Sequence, residues 1–198
     1  MKKRKYRKSL RAEQQAQTRE RIVEAAMQLH EEVGPALTSI KAVAEKAGVQ
    51  RLTVYRHFPD DFSLFQACTS HWFELNPPPD ENDWLDIADA TERTRNALLA
   101  FYRYYRVTEQ MWSVSYRDLE SVEALHEPMA AFDSYLKQVS DDLLKSWQAT
   151  GEQKKQLRLT LSHALKFSSW QSLKNEQLGD EKIAMLVTQW LHGISSPA

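Results

Sequence analysis

The stretch Thr38–Phe58, TSIKAVAEKAGVQRLTVYRHF, decides how this chain is read. Thr38 or Ser39 can cap a short helix whose inward side is Ile40, Val43, Ala44 and Ala47, the three- and four-residue spacing of an amphipathic helix. Gly48 permits a tight turn, and a second short helix is predicted over 50–58. Two short helices joined by a glycine turn form a helix-turn-helix. Ala44 is small where the helices would cross, and Val49 and Val54 can fill the space between them. Arg51, Thr53, Tyr55, Arg56 and His57 are then left to face outward. All five can donate hydrogen bonds and none is acidic. A helix of this size fits the major groove of duplex DNA.

The flanks continue the pattern. Upstream, Ile22, Ala25, Ala26, Leu29 and Val33 make a helical stripe, with Thr18 as the expected cap and Gly34-Pro35 as the stop. Arg21 stands where a capping box needs Glu or Gln, so the start of this helix is only loosely marked. Downstream, Pro59-Asp60 breaks the chain, and Asp60 can cap a fourth helix through Phe62, Leu64, Phe65 and Trp72. Three consecutive prolines in Asn76–Asp80 read as a linker.

Beyond it no strand signal appears. Helices are expected through Ile87, Thr91, Thr94, Leu98, Phe101 and Tyr105, then a short one at Met111, Val114 and Ser115. Another runs from Pro128 through Phe132, Leu136, Val139, Leu143 and Trp147 to a stop at Gly151. One more passes through Leu157, Leu161, Ala164 and Phe167 to Trp170, and a last one follows Gly179-Asp180. The fold class is therefore all-α, with about nine helices.

Composition sets the limits. The chain has 198 residues, long enough to bury a sizeable core, and its formal net charge is -1. That near-neutral total hides a division. Residues 1–70 hold 13 Lys plus Arg against 8 Asp plus Glu, a net of +5, and the remainder nets -6. Lys2, Lys3, Arg4, Lys5, Arg7, Lys8 and Arg11 form a basic arm, as expected where one end meets a polyanion. One cysteine excludes an intrachain disulfide and a Cys-based zinc cluster. No apolar run is long enough to cross a membrane, and no apolar stretch follows the basic arm as a secretory signal requires. A cytoplasmic location is the expectation.

The segment Thr18–Phe65 resembles the DNA-binding domain of the tetracycline-repressor-like (TetR/AcrR) family of bacterial transcription regulators. The matching features are RERIVEAAMQL, the stop at Gly34, TSIKAVAEKAGV, TVYRHF, Pro59 and Leu64-Phe65. The resemblance implies a basic arm over 1–17, a three-helix DNA-binding domain over 18–62, and a helical effector-binding and dimerisation domain over 63–198. It also implies double-stranded DNA as partner, with the protein at the bacterial nucleoid. By the same resemblance Lys41, Arg51, Leu52 and Thr53 sit where the family meets DNA, and Tyr55 and His57 match positions that grip phosphates. Arg56 can reach a base or a phosphate. Arg51 is the expected guanine reader, with Arg56 second. Two residues depart from the pattern. Asp61 stands where a phosphate-binding lysine is common, and Leu52 replaces a commonly small residue.

The resemblance further implies a small-molecule pocket, and Phe101, Tyr105, Trp112, Tyr116, Phe132, Phe167 and His163 are its expected wall, suited to an apolar or aromatic effector, although core packing is the default reading for aromatics at helical spacing and for His163. Leu161, Leu165, Trp170, Ile183, Val187 and Trp190 are expected to form a homodimer surface, because the last helices carry more apolar side chains than one buried face needs. No HExxH, phosphate loop, GxSxG or Cys-His catalytic framework is present, so no cofactor and no catalysis are expected. Cys68 and His71 share a helical face and read as packing. The functional expectation is a repressor released from a near-palindromic operator by an effector. The alternative is a helical adaptor with a nucleic-acid-binding arm.

Overall fold

The computed structural model describes residues 2–195, with side chains from residue 10 onward. Among these residues there are nine α-helices, short 3-10 turns and no strand. In chain order the helices are α1 (Lys2–Val33), α2 (Ile40–Lys46), α3 (Arg51–His57), α4 (Asp61–Leu75), α5 (Ala90–Asp118), α6 (His126–Ser146), α7 (Gly151–Ala164), α8 (Phe167–Asn175) and α9 (Asp180–Ser195). The chain packs as two units, one of Met1–Pro77 with Ser113–Pro128, the other of Pro78–Trp112 with Met129–Ala198.

The first unit is built on Ile22, Val23, Ala25 and Ala26 of α1, Val43 and Ala44 of α2, Val54 of α3, and Leu64 and Cys68 of α4. Helix α1 begins well before Thr18. Residues 10–17 contain no glycine or proline and consist of Ala, Gln, Leu, Arg and Glu, all of which favour helix without a core beneath them. Thr18 lies inside the helix, its hydroxyl donating to the Gln14 carbonyl at 2.8 Å. The backbone of the basic arm is thus helical from Lys2, while the side chains of Lys2, Lys3, Arg4, Lys5, Arg7 and Lys8 lie outside the described residues. The stripe is also displaced at its end: Val33 is exposed and His30 is buried in its place. Ser39, not Thr38, caps α2 by accepting from the Ala42 amide, and Asp60 caps α4 by accepting from Ser63 at 2.7 Å. Gly48 makes the turn at φ 66, a conformation that costs glycine little.

One turn of loop after α1 is held from α5. The Asp118 carboxylate, nearly buried, accepts from the Ala36 amide at 3.0 Å, and Arg117 donates to the Val33 carbonyl at 2.7 Å. The two side chains also pair, Nε to Oδ1, at 2.7 Å. Gly34 sits beneath them at φ 93, and a Cβ there would fall on the Arg117 guanidinium and the Asp118 carboxylate.

In the second unit three expected boundaries move. The stripe through Tyr105 and the short helix at Met111 are one helix, because nothing between Ala90 and Asp118 breaks it. Helix α6 ends at Ser146 rather than at Gly151. Gln148 takes the left-handed turn at φ 47, and Gly151 opens α7. The expected helix from Leu157 to Trp170 is two helices. Tyr102 donates to the Ala164 carbonyl at 3.1 Å and Tyr105 to the Leu165 carbonyl at 2.7 Å, so phenol hydroxyls from α5 satisfy the carbonyls freed where α7 ends. Across the unit, Arg106 holds Asp180 through two bonds of 2.6 and 2.7 Å, and the Trp170 indole donates to the same carboxylate at 3.0 Å. Burial works to raise the Asp180 carboxyl, but the bonds from Arg106 and Trp170 prevail and hold it below the usual carboxylate range.

Candidate nucleic-acid interface

Helix α3 spends one residue on the core. Val54 is buried, while Arg51, Leu52, Tyr55 and Arg56 are exposed and Thr53 and His57 half-buried. Positions i, i+1, i+4 and i+5 share one side of a helix, so Arg51, Leu52, Tyr55 and Arg56 form one open face. Leu52 is 60% exposed, a large apolar side chain with no packing role. Arg51 and Arg56 have no ion-pair partner among the described residues. Arg56 and His57 lie in the last turn, where the helix dipole favours positive charge. Lys41 on α2 is also exposed, at 3.8 Å from Glu45 in a pair that solvent weakens. The face is anchored from behind by Phe58, over whose ring the Arg19 guanidinium lies at 4.8 Å. Arg19 is a residue the motif reading missed; its stacking on an aromatic far along the chain has no periodic signal.

Asp61 opens α4, exposed, and brings no positive charge to this face. Phe62, expected in the core of α4, is instead exposed, and Cys68 pairs with His30 rather than with His71. The His30 Nδ1 to Cys68 Sγ distance is 3.3 Å, and burial pushes the imidazole down to about 4 and the thiol up to about 12.

The expected effector wall is brought together only in part. Phe101, Tyr105, Trp112, Phe132 and Phe167 form one aromatic cluster in the second unit, with Trp112 and Phe132 at 4.3 Å between centroids and Tyr105 and Phe167 at 5.5 Å. All five are buried. Trp84, Tyr104, Tyr135 and Trp170 complete it. Trp84 is a single aromatic in an acidic stretch after the linker, so periodicity gives it no helical neighbours. His163 does not join the cluster: it is exposed on α7. Tyr116 lies in the other packing unit.

The expected dimer surface is corrected more sharply. Leu161, Leu165, Trp170, Ile183 and Val187 are buried within the chain, because α7, α8 and α9 pack on one another and on α5. Only Trp190 of that set is on the outside, 46% exposed. Leu159 on α7 and Met185 on α9 are the other large exposed apolar side chains of these helices.

An all-helical chain whose second short helix leaves arginine, tyrosine and leucine free on one face belongs to the helix-turn-helix class. Residues 22–68 match the family described as bacterial regulatory proteins, tetR family. Similar solved structures include a TetR-like transcriptional regulator from Rhodococcus sp. RHA1, 18% identical, covering 91% of this chain and 97% of that one, with a TM-score of 0.63. NalD, the secondary repressor of the MexAB-OprM multidrug efflux pump in Pseudomonas aeruginosa, is 19% identical over 90% of this chain and 96% of its own, with a TM-score of 0.57. The multidrug binding protein EbrR, complexed with imidazole, is 19% identical over 91% and 90%, with a TM-score of 0.56. No curated protein matches the chain in sequence. Residues 22–68 are thus similar to the tetR family of bacterial regulatory proteins, and the chain as a whole has the fold of TetR-like regulators.

Proposed function

We propose that this chain is a sequence-specific DNA-binding transcriptional repressor that acts as a homodimer on a near-palindromic operator. The observation that carries the reading is the open face of α3, on which Arg51 and Arg56 have no ion-pair partner among the described residues. A guanidinium facing water on a helix of this size pairs well with guanine edges or phosphates. Lys41, Thr53, Tyr55 and His57 are the backbone-positioning groups, and Leu52 offers an apolar contact to a thymine methyl. The basic arm extends the phosphate contact. Dimerisation runs through the outer faces of α7 and α9, where Leu159, Met185 and Trp190 remain exposed. Two α3 helices then enter successive major grooves about 34 Å apart on one side of the duplex.

The effector is an apolar or aromatic small molecule that enters the aromatic cluster of the second unit and favours a different separation of the reading heads. Its differential affinity for the two arrangements sets the release of DNA. NalD is a repressor and EbrR a multidrug binding protein, which supports this reading by likeness of fold.

The test compares the wild-type chain with the Arg51→Ala, Arg56→Ala double variant on duplex DNA by fluorescence anisotropy at two fixed salt concentrations. The expected result is tight, salt-sensitive binding by the wild type and a loss of at least about tenfold in the variant. Equal binding by both would move the DNA contact off α3 and favour an adaptor that holds nucleic acid by its arm.

A further inference from the structure

A cleft of about 500 Å³ lies within the first unit, and neither the DNA face nor the core explains it. Its apolar walls include Ile40 from α2 and Phe62 and Phe65 from α4. Phe62 is 49% exposed, so one edge of the cleft is an aromatic ring left in water. The polar side is formed by Asp61, Glu123 and His30. Asp61 and Glu123 are exposed carboxylates with no hydrogen-bond or ion-pair partner among the described residues. At the rim Thr38 donates to the Gly34 carbonyl, and Ser39 accepts from the Ala42 amide while keeping its own O–H as a donor.

His30 defines the third group. It is 9% exposed, and it is the buried polar side chain of the cleft wall. The single thiol proton of Cys68 goes to the Phe65 carbonyl at 3.1 Å, which can only accept. With the thiol proton placed there, the matching His30 tautomer is the one whose Nδ1–H donates to the sulfur at 3.3 Å. In that tautomer Nε2 is a lone-pair acceptor with no partner among the described residues, on an imidazole that burial keeps neutral. The charged side chains of the cleft are thus two carboxylates, set beside a neutral imidazole and the Ser39 hydroxyl. Among the described residues no cationic side chain lines the cleft, so an anionic ligand would meet two carboxylates with no positive charge to offset them.

We propose that this cleft binds an aromatic organic cation carrying N–H donors, an arylamidinium or arylammonium, with its ring against Phe62 and Phe65 and its charged end toward Asp61 and Glu123. Charge-assisted hydrogen bonds to the carboxylates and cation–π attraction to the phenylalanines supply the recognition. The Nε2 of His30 accepts one further N–H. This site is distinct from the aromatic cluster of the second unit, and it does not depend on DNA binding.

The test is calorimetric titration of the full chain, without DNA, against 4-phenylbenzamidine, its neutral carboxamide, and the biphenyl trimethylammonium cation, which has no N–H. The amidine is expected to bind one per chain and at least about tenfold more tightly than either comparison compound. Asp61→Asn with Glu123→Gln, two exposed positions, should weaken the amidine by about tenfold or more. Methyl resonances of Ile40 and Val43 should shift on binding, while those of Ile183 and Val187 should not. No binding of the amidine at millimolar concentration, equal affinity for amidine and carboxamide, or shifts confined to the second unit would each overturn the proposal. Equal affinity for the trimethylammonium cation would overturn the requirement for a donor.

Discussion

At the residue scale, His30 is a histidine held away from water. Burial lowers its pKa from 6.5 to about 4. Between those values the unfolded chain binds a proton that the folded chain refuses, so stability rises with pH through that window and is complete above it. Lowering the pH from 7 to 5 should cost about 2 kcal/mol through this side chain alone. Urea midpoints of the wild type and of His30→Met at both pH values check this: the variant should lose most of the difference, and an unchanged difference would assign it to other groups. Arg51 gives the second residue-scale prediction. Arg51→Ala should cost about 1–3 kcal/mol in DNA affinity and relax specificity at one base position, whereas Lys41→Ala should weaken binding evenly across sequences. Competition binding against a set of single-base operator variants separates the two. Arg51 was legible in the sequence because exposure on a helix that buries only Val54 follows from periodicity. His30 was not, since its burial depends on Cys68 and Phe65 on another helix.

At the element scale the helix-turn-helix was readable because its signals are local: Ser39 and Asp60 as caps, Gly48 as turn, Ala44 at the crossing. Helix ends set by distant partners were not. The count of nine came out by two compensating differences, a fusion within α5 and a break between α7 and α8. The break has its cause in Tyr102 and Tyr105, some 60 residues away, whose hydroxyls take the freed carbonyls. The end of α5 acts likewise on the loop after α1. Asp118→Ala removes the acceptor for the Ala36 amide and leaves Arg117 without its carboxylate, and should cost about 1–3 kcal/mol. Gly34→Ala must leave φ 93 or push Arg117 and Asp118 aside, at a similar cost. Chemical denaturation at pH 7 measures both; a change under about 0.5 kcal/mol in either would show that this corner is not what holds the loop.

For the whole molecule, the charge division between the first 70 residues and the rest is what a chain that meets a polyanion at one end would carry. The partner surface was harder to see, because apolar helices are ambiguous between an intrachain core and an interface. Five of six expected dimer residues pack inside the chain, and the exposed remainder is Trp190, with Leu159 and Met185 beside it in kind. Met185→Glu with Trp190→Glu should therefore leave the helical content intact and shift sedimentation from a dimer to the 23.0 kDa chain. A dimer that survives the change would place the interface elsewhere. The central claim, that the α3 face reads a two-fold DNA site, is tested most directly by selecting binding sites from a random duplex library with the purified protein at one stated salt concentration. An enriched inverted repeat with half-sites about one helical turn apart is the predicted result. Folded protein that enriches no sequence, or only a single unrepeated motif, would contradict it.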